Sequence, residues 1–400
     1  MKALQVDRKL ARIGMARMLS VVSPQMAAKA GPLELVSIDT PDLPDEGWHH
    51  VHTRLSGICG SDLATVEGHA SPYFDDWVSF PFVPGHEVVG TVDGSDGRRV
   101  VIEPVLGHAA RGLPLPFPDA APADGNDYGH LATGSLDPGI QIGFCHSTCG
   151  GWAPQFVAHD SQIHDVPDAM SDEQAVLVEP AACGIHSALA TWPVVKDMVR
   201  PIVAVLGAGT MGLCAVAGLR RYVPNVHILV GARYSHQRAL AREFGADTVV
   251  EPDELPRAVR RLVGCHVVGD YLSSGADATI DAVGDSRSIA ACLRFTRPRG
   301  RIVLMGMPSE VTVDLTGLWH RETQIVGAYT YGTETMPDGS RTKTFDLALD
   351  TAAEFGFEKL LTETYRIDEY EDAIAHASAA GRRGAVRIAF DFRTARKDTN

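Results

Sequence analysis

The sequence predicts an α/β protein with a β-rich first part and a doubly wound, parallel second part, and three observations predict it. Up to about residue 170 the apolar segments are short, rich in Val and Ile and separated by Gly, Pro and Asp, the texture of a small barrel or sandwich. From residue 200 onward strand-like and helix-like runs alternate, which implies a parallel sheet covered on both faces. At the first strand-to-helix junction of that second part stands GAGTMG, a glycine pattern that turns a strand tightly into a helix.

In the first part HEVVGTVDG, RRVVIEPV and WAPQFVAHD are the clearest strands. Between Gly107 and Leu136 the run GHAARGLPLPFPDAAPADGNDYGHLATGSL reads as a long surface loop, because Pro, Ala, Gly and Asp dominate it. Ser171 and Gln174 make a capping box for a short helix that Pro180 should interrupt. Then follow PIVAVLG, a helix from Met211, VHILVG, a helix through HQRALAREFG, and the strands DTVVEP, ATIDAVG and RIVLMGM. The alternation stops after AYTYG (328–332), where a helix over TKTFDLALDTAAEFG leads to the closing strand AVRIAFDF, and RTARKDTN reads as a mobile tail.

At 400 residues, 45% hydrophobic and 22% charged, the chain has the composition of an ordinary globular protein with about two cores. Its formal charge of −14 argues against nucleic acid or an anionic membrane as a partner. MKALQVDRKLARIGMARMLSVV interleaves Lys and Arg with apolar residues, so it offers no signal-peptide core, and no run of ~18 apolar residues exists to span a bilayer. Seven scattered cysteines form no disulfide framework, and the expected location is the cytoplasm.

In PIVAVLGAGTMGLCAV, Gly207, Gly209 and Gly212 form G-x-G-x-x-G between strand and helix, with Thr210 and Met211 at the helix mouth. The first Gly makes the turn, the second admits a pyrophosphate and the third lets helix pack on strand, which marks a nicotinamide dinucleotide site. The next strand ends in Gly231, Ala232 and Arg233, with no acid to hold the ribose hydroxyls of NAD. Arg233 offers a planar cation for a 2′-phosphate, with Ser235, His236 and Arg238 able to assist, so NADP is expected over NAD.

A second set of residues suits a metal. Cys59 in GICGSDLA, His86 and Glu87 in FVPGHEVVG, and Glu179 in LVEPAACG are each common as core or surface residues. Cys, His and Glu are nevertheless acceptable zinc ligands, and three protein ligands with an open fourth position are what a catalytic zinc needs. Pro180 disfavours helix at residue 179, which would let the Glu179 carboxylate turn inward.

The order GICGSD, PGHE, VEP, GAGTMG resembles the zinc-dependent medium-chain dehydrogenases/reductases, particularly the branch of sorbitol, threonine and glucose dehydrogenases. The resemblance spans about residues 30 to 393 and implies a GroES-like catalytic domain from both chain ends, 1–186 and 333–400, with a Rossmann domain, 187–332, inserted. It implies Cys59, His86 and Glu179 as catalytic zinc ligands and Glu87 as an alternating or outer ligand. Ser61 would bind the substrate hydroxyl and pass its proton, Asp62 would orient a ligand, and the assembly would be a homodimer or homotetramer formed partly through the Rossmann sheets. Two departures stand out. Where members often carry a proton-relaying His three residues after the Ser, this chain has Ala64. Where many carry four clustered Cys for a structural zinc, the 107–136 run has none, so one zinc is expected, with His108, Asp119, Asp124 and His130 merely solvated. Cys145 and Cys149 are expected as free thiols, and Trp152 either lines the substrate pocket or packs.

The reading is an oxidoreductase moving a hydride between NADP(H) and a carbonyl or secondary alcohol. The alternatives are reduction of an activated C=C or C=N bond, which the missing relay at Ala64 leaves open, and a non-catalytic cofactor-binding scaffold.

Overall fold

The computed structural model describes residues 1–94 and 97–393, so most of the expected tail, TARKDTN, lies outside the described residues. Contacts divide it into two units, Met1–Glu179 with the chain from Gly356 onward, and Pro180–Phe355.

The first unit opens with β1 (Lys2–Val6), the helices α1 (Leu10–Ser20) and α2 (Pro24–Ala30), and β2 (Leu33–Ser37), which pairs antiparallel with β1. β3 (Trp48–Gly57), α3 (Gly60–Val66), β4 (Val88–Val92), β5 (Arg99–Ile102), β6 (Gln155–His159), β7 (Ile163–Asp165) and α4 (Asp172–Ala175) follow. The second unit contains α5 (Val178–Leu189) from residue 180 on, α6 (Trp192–Val195), β8 (Ile202–Leu206), α7 (Thr210–Tyr222), β9 (His227–Gly231), α8 (Ser235–Glu243), β10 (Thr248–Val250) and α9 (Leu255–Val263). It continues through the small hairpin β11 (Val267–Val268) and β12 (Tyr271–Leu272), then β13 (Ala276–Asp281), α10 (Ser286–Phe295), β14 (Thr296–Leu304), α11 (Thr316–Arg321), β15 (Gln324–Gly327), a second hairpin β16 (Thr333–Thr335) and β17 (Arg341–Lys343), and α12 (Thr344–Phe355). The chain then returns to the first unit with β18 (Leu361–Tyr365), α13 (Tyr370–Ser378) and β19 (Arg387–Asp391).

The first unit's sheet runs β18-β19-β3-β4-β5-β7, with β6 also on β3. Trp152, Phe156 and Phe390 are buried in its core, which excludes Trp152 from a solvent-facing pocket wall: its Nε1 donates to Gly57 O at 3.2 Å and its ring meets Phe390 edge-on. The second unit's sheet is parallel in the order β10-β9-β8-β13-β14-β15, the doubly wound dinucleotide-binding arrangement. Its chain reverses direction across the sheet between β8 and β13, so their carboxyl ends flank the crevice where such sheets bind ligands. Among the described residues no helix is long and apolar enough to cross a membrane.

The structure departs from the sequence reading at four places. α1, α2 and α3 sit within the stretch read as β-rich. Pro180 does not break a helix: the break falls at residues 176–177 and α5 begins at Val178, so Pro180 occupies the first turn, where a missing N–H costs nothing. The first residue of the expected tail, Arg393, is anchored, pairing with Asp391 and Glu173 at 2.7 Å and with Asp172 at 3.4 Å. Asp172 also takes Arg54 and Arg99, and although burial works the other way these guanidinium bonds hold its carboxyl below the ordinary range.

The fourth departure is the 107–136 run, which is a packed lobe. Arg111, 1% exposed, donates to the carbonyls of Leu106, Thr133, Leu136, Asp137 and Gly139, so one guanidinium ties both ends of the run together. His130 is buried too, its ring stacked on His108 at 4.0 Å, and Asp124 caps Ala121 N at 2.8 Å, while Asp119 occupies a left-handed turn at φ 60°. His108, Asp124 and His130 are therefore structural rather than merely solvated, while Asp119 is exposed as expected. Arg111→Met strands several buried carbonyls at roughly 1–3 kcal/mol each. It is expected to cost about 3–5 kcal/mol in urea denaturation and to open residues 107–139 to protease, whereas protection equal to wild type contradicts the assignment.

Candidate active site

The end of β3 delivers Cys59. Ile58 is held by its N–H to Ile388 O at 2.9 Å, and Cys59 then stands at the N-cap of α3, where the Asp62 carboxylate accepts its backbone N–H at 2.9 Å. His86 and Glu87 lie immediately before β4, and both are buried. The ligand atoms of Cys59, His86 and Glu87 lie within 4.8 Å of one another, and Cys59 is half-buried. A Cβ on Gly57 would collide with Glu87 Oε2, so only glycine at that position admits the carboxylate.

Arg387, on β19, is the fixed cation of the site. Its Nη2 pairs with Glu87 Oε1 and its Nη1 donates to Ile58 O at 2.7 Å. Burial works to lower its pKa, but Glu87, Cys59, Glu179 and Asp62 outweigh that and hold it charged. Burial raises the Glu87 pKa against the opposing pull of Arg387 and His86. For His86 burial works downward, and Asp62, 3.5 Å from Nδ1, together with Cys59 overrides it and raises the imidazole pKa well above its ordinary value.

Three buried atoms crowd this spot without a hydrogen-bond partner: Asp62 Oδ1, His86 Nδ1 and Glu87 Oε2. Each such orphan costs about 1–3 kcal/mol in an apolar interior. A cluster of sulfur, imidazole nitrogen and carboxylate oxygen that also faces surplus negative charge fits a divalent cation, and zinc by its donor types.

Ser61 is half-buried in the first turn of α3, and Asp62 touches both Cys59 and His86. Glu179 is buried in the first turn of α5 and is felt by Arg387, but it lies outside the group formed by Cys59, His86 and Glu87. Cys145 and Cys149 are buried free thiols, and burial pushes Cys149 up to about 11 and Cys145 upward as well, which leaves both poorly nucleophilic. Arg387 is the residue sequence reading missed; its only signal was a lone Arg inside the apolar closing strand AVRIAFDF.

In the second unit Gly207 follows β8 at φ 100°, a conformation that favours glycine, and Gly209 has open space where a side chain would stand. A Cβ on Gly212 would strike Gly207 O, so glycine there lets α7 seat on the strand. Thr210 and Met211 open α7, whose first amides face the crevice end of β8. At the end of β9 a Cβ on Gly231 would strike Leu255, which bars an acid from that position. Arg233 is exposed. Arg238 is committed to the turn itself, donating to the carbonyls of Ala232 at 3.1 Å and Arg233 at 2.8 Å, and His236 stacks on Tyr234.

A family model described as the alcohol dehydrogenase GroES-like domain matches residues 45–168, and one described as zinc-binding dehydrogenase matches residues 210–344. Sorbitol dehydrogenase of Homo sapiens is 29% identical over 331 residues, covering 76% of this chain and 83% of its own. L-idonate 5-dehydrogenase of Vitis vinifera is 25% identical over 388 residues, covering 92% and 94%. The crystal structure of 2R,3R-butanediol dehydrogenase from Bacillus subtilis shares the fold with a TM-score of 0.68 at 19% identity, over 98% of this chain and 99% of that one. With both halves matched in order, and with a Cys-His-Glu group in one unit and a glycine-lined crevice in the other, the chain belongs to the zinc-dependent, alcohol dehydrogenase-like medium-chain dehydrogenases/reductases.

Proposed function

We propose that the chain moves a hydride between NADP(H) and a ketone or secondary alcohol, with a polyol the leading substrate class by likeness to the sorbitol and idonate dehydrogenases. The observation that carries this reading is the Cys59-His86-Glu87 group, in which His86 Nδ1 and Glu87 Oε2, with the neighbouring Asp62 Oδ1, lack hydrogen-bond partners. Cys59 and His86 would hold the zinc with a carboxylate from Glu179, as likeness to the family implies, and Glu87, whose carboxylate lies in the group, would be the alternate. Bound zinc supplies a Lewis acid for the substrate oxygen, and the nicotinamide supplies or accepts the hydride.

The chain's own side chains do the rest. Asp62 fixes Cys59 through its N–H and His86 through charge. Arg387 pairs with Glu87 and pulls against the burial that raises its pKa. Ser61 Oγ carries the proton to or from the substrate oxygen, and with Ala64 in place of an imidazole that proton leaves through water or the cofactor ribose. Location in the cytoplasm is supported by cysteines scattered without the spacing of a disulfide framework, and a homodimer or homotetramer by likeness to the family.

Cofactor choice rests on Arg233. Gly207, Gly209, Thr210, Met211 and Gly212 would cradle the pyrophosphate, and Arg233 would clamp the 2′-phosphate. A charge-assisted contact of this kind is worth about 1.5–3 kcal/mol, or roughly tenfold to hundredfold. Arg233→Glu is expected to lower kcat/KM with NADPH by that factor and to leave NADH little changed. A wild type that prefers NADH, or a variant that loses both equally, contradicts it. Deuteride transfer from labelled NADPH to a carbonyl carbon, rather than across a C=C or C=N bond, separates the main reading from its rival.

A further inference from the structure

One side of the dinucleotide crevice is the glycine turn after β8, the other is the turn after β13, and a single buried residue fixes the second. Ala282 N–H still pairs with Leu206 O at 3.0 Å, so β8 and β13 stay joined to their carboxyl ends. Beyond that pair the chain turns sharply. The Cγ2 of Val283 lies 2.9 Å from where a Cβ on Gly207 would stand, so this valine presses on the first glycine of the motif. Val283 is nevertheless 47% exposed, and its free face borders the crevice. A Cβ on Gly284 would strike Gly306 O and one on Gly306 would strike Val283 C, so the turns after β13 and β14 meet backbone to backbone.

Asp281, the last residue of β13, is wholly buried beneath these turns. Its Oδ1 accepts from the N–H of Val283 at 2.9 Å and of Gly284 at 3.1 Å, and its Oδ2 from the Ser288 hydroxyl at 2.8 Å. Its main-chain oxygen accepts from Met305 N at 3.0 Å and Gly306 N at 2.8 Å. Ser288 stands in the first turn of α10, which Asp285 caps, so the carboxylate is braced by a helix start and by amides rather than by a cation. Burial pushes the carboxyl upward in pKa, and the bonds from Val283, Ser288 and Gly284 pull against that. An apolar residue would close the core at less cost, so what the carboxylate adds is the fixed course of residues 282–284.

We propose that Asp281 is a positioning residue of the crevice: by holding Val283 against Gly207 it sets the apolar wall on which the bound dinucleotide is seated. This role rests on the reading of the crevice as the nicotinamide dinucleotide site and is indifferent to whether NADPH or NADH is preferred.

The test is the Kd of NADPH and of NADH, titrated by cofactor fluorescence on the full, metal-loaded chain, with melting temperature measured beside it. Asp281→Ala is expected to raise the Kd of the preferred dinucleotide about tenfold or more, the effect of freeing two backbone amides. Asp281→Asn, which keeps an acceptor for both amides, should stay within about threefold of wild type. Ser288→Ala loses the bond to Oδ2 alone, so it should lower the melting temperature yet leave the Kd within about threefold. Val283→Ala, at a side chain too exposed to be needed for folding, should raise the Kd roughly threefold to tenfold, and it carries the test alone if Asp281→Ala does not fold. An unchanged Kd in Asp281→Ala or Val283→Ala overturns the proposal. So does an Asn variant as weak as the Ala variant, or a Ser288→Ala that loses affinity as much, which would assign the effect to general loosening. A wild type that binds neither dinucleotide defeats the reading of the crevice itself.

Discussion

Cys59→Ser is expected to lower turnover about a thousandfold or more, to remove most of the bound zinc, and to leave the protein folded. A hydroxyl is a far poorer ligand than a thiolate, and Lewis-acid stabilisation of the reacting oxygen is worth several kcal/mol, each 1.4 kcal/mol being a factor of ten. Folding should survive because Cys59 is half-buried at the N-cap of α3, a position where serine is itself favoured. Steady-state kinetics with metal analysis of the same preparation checks it. A serine variant with wild-type turnover removes Cys59 from the mechanism and leaves the thiol as ordinary packing.

The second large effect is expected at Arg387. Arg387→Met removes the fixed cation beside Glu87 and strands a carboxylate that is 1% exposed. Breaking one side of a buried pair costs about 3–5 kcal/mol, because the partner charge remains uncompensated. Urea denaturation should show that loss, and adding Glu87→Gln to Arg387→Met should recover much of it by removing the stranded charge. If the double variant is as unstable as the single one, the cost lies in lost packing and the lost bond to Ile58 O, and the ion pair is not what holds this corner.

What was legible in the sequence is what is local. Gly207, Gly209 and Gly212 act within one turn between β8 and α7, so their spacing alone prescribes both the tight turn and the close helix seat. Ser171 and Gln174 cap α4 as their spacing requires, with Ser171 Oγ accepting from Gln174 N at 3.1 Å. Cys59 and His86 were legible because their flanking glycines and strands give them context. What was not legible is non-local or inverted. Arg387 and Glu87 are 300 residues apart in sequence, and no local pattern announces that β19 will lie beside β3. α1 escaped because its apolar residues point outward, so the stripe that normally marks a helix against a core marks here a face without one. The lobe read as a loop because its composition is that of loops, and a single buried guanidinium is enough to organise it. Pro180 was misread for a plainer reason: the same residue ends a helix or begins one, according to which side the helix lies on.

The proposed chemistry needs one zinc at Cys59, His86 and a neighbouring carboxylate, without which turnover stops. The most direct test is metal content per chain by mass spectrometry on protein purified without added metal, with activity followed as a chelator is titrated in. One zinc per chain is expected, lost in step with activity and restored with it on adding zinc back. Full activity in protein that holds no metal would contradict it.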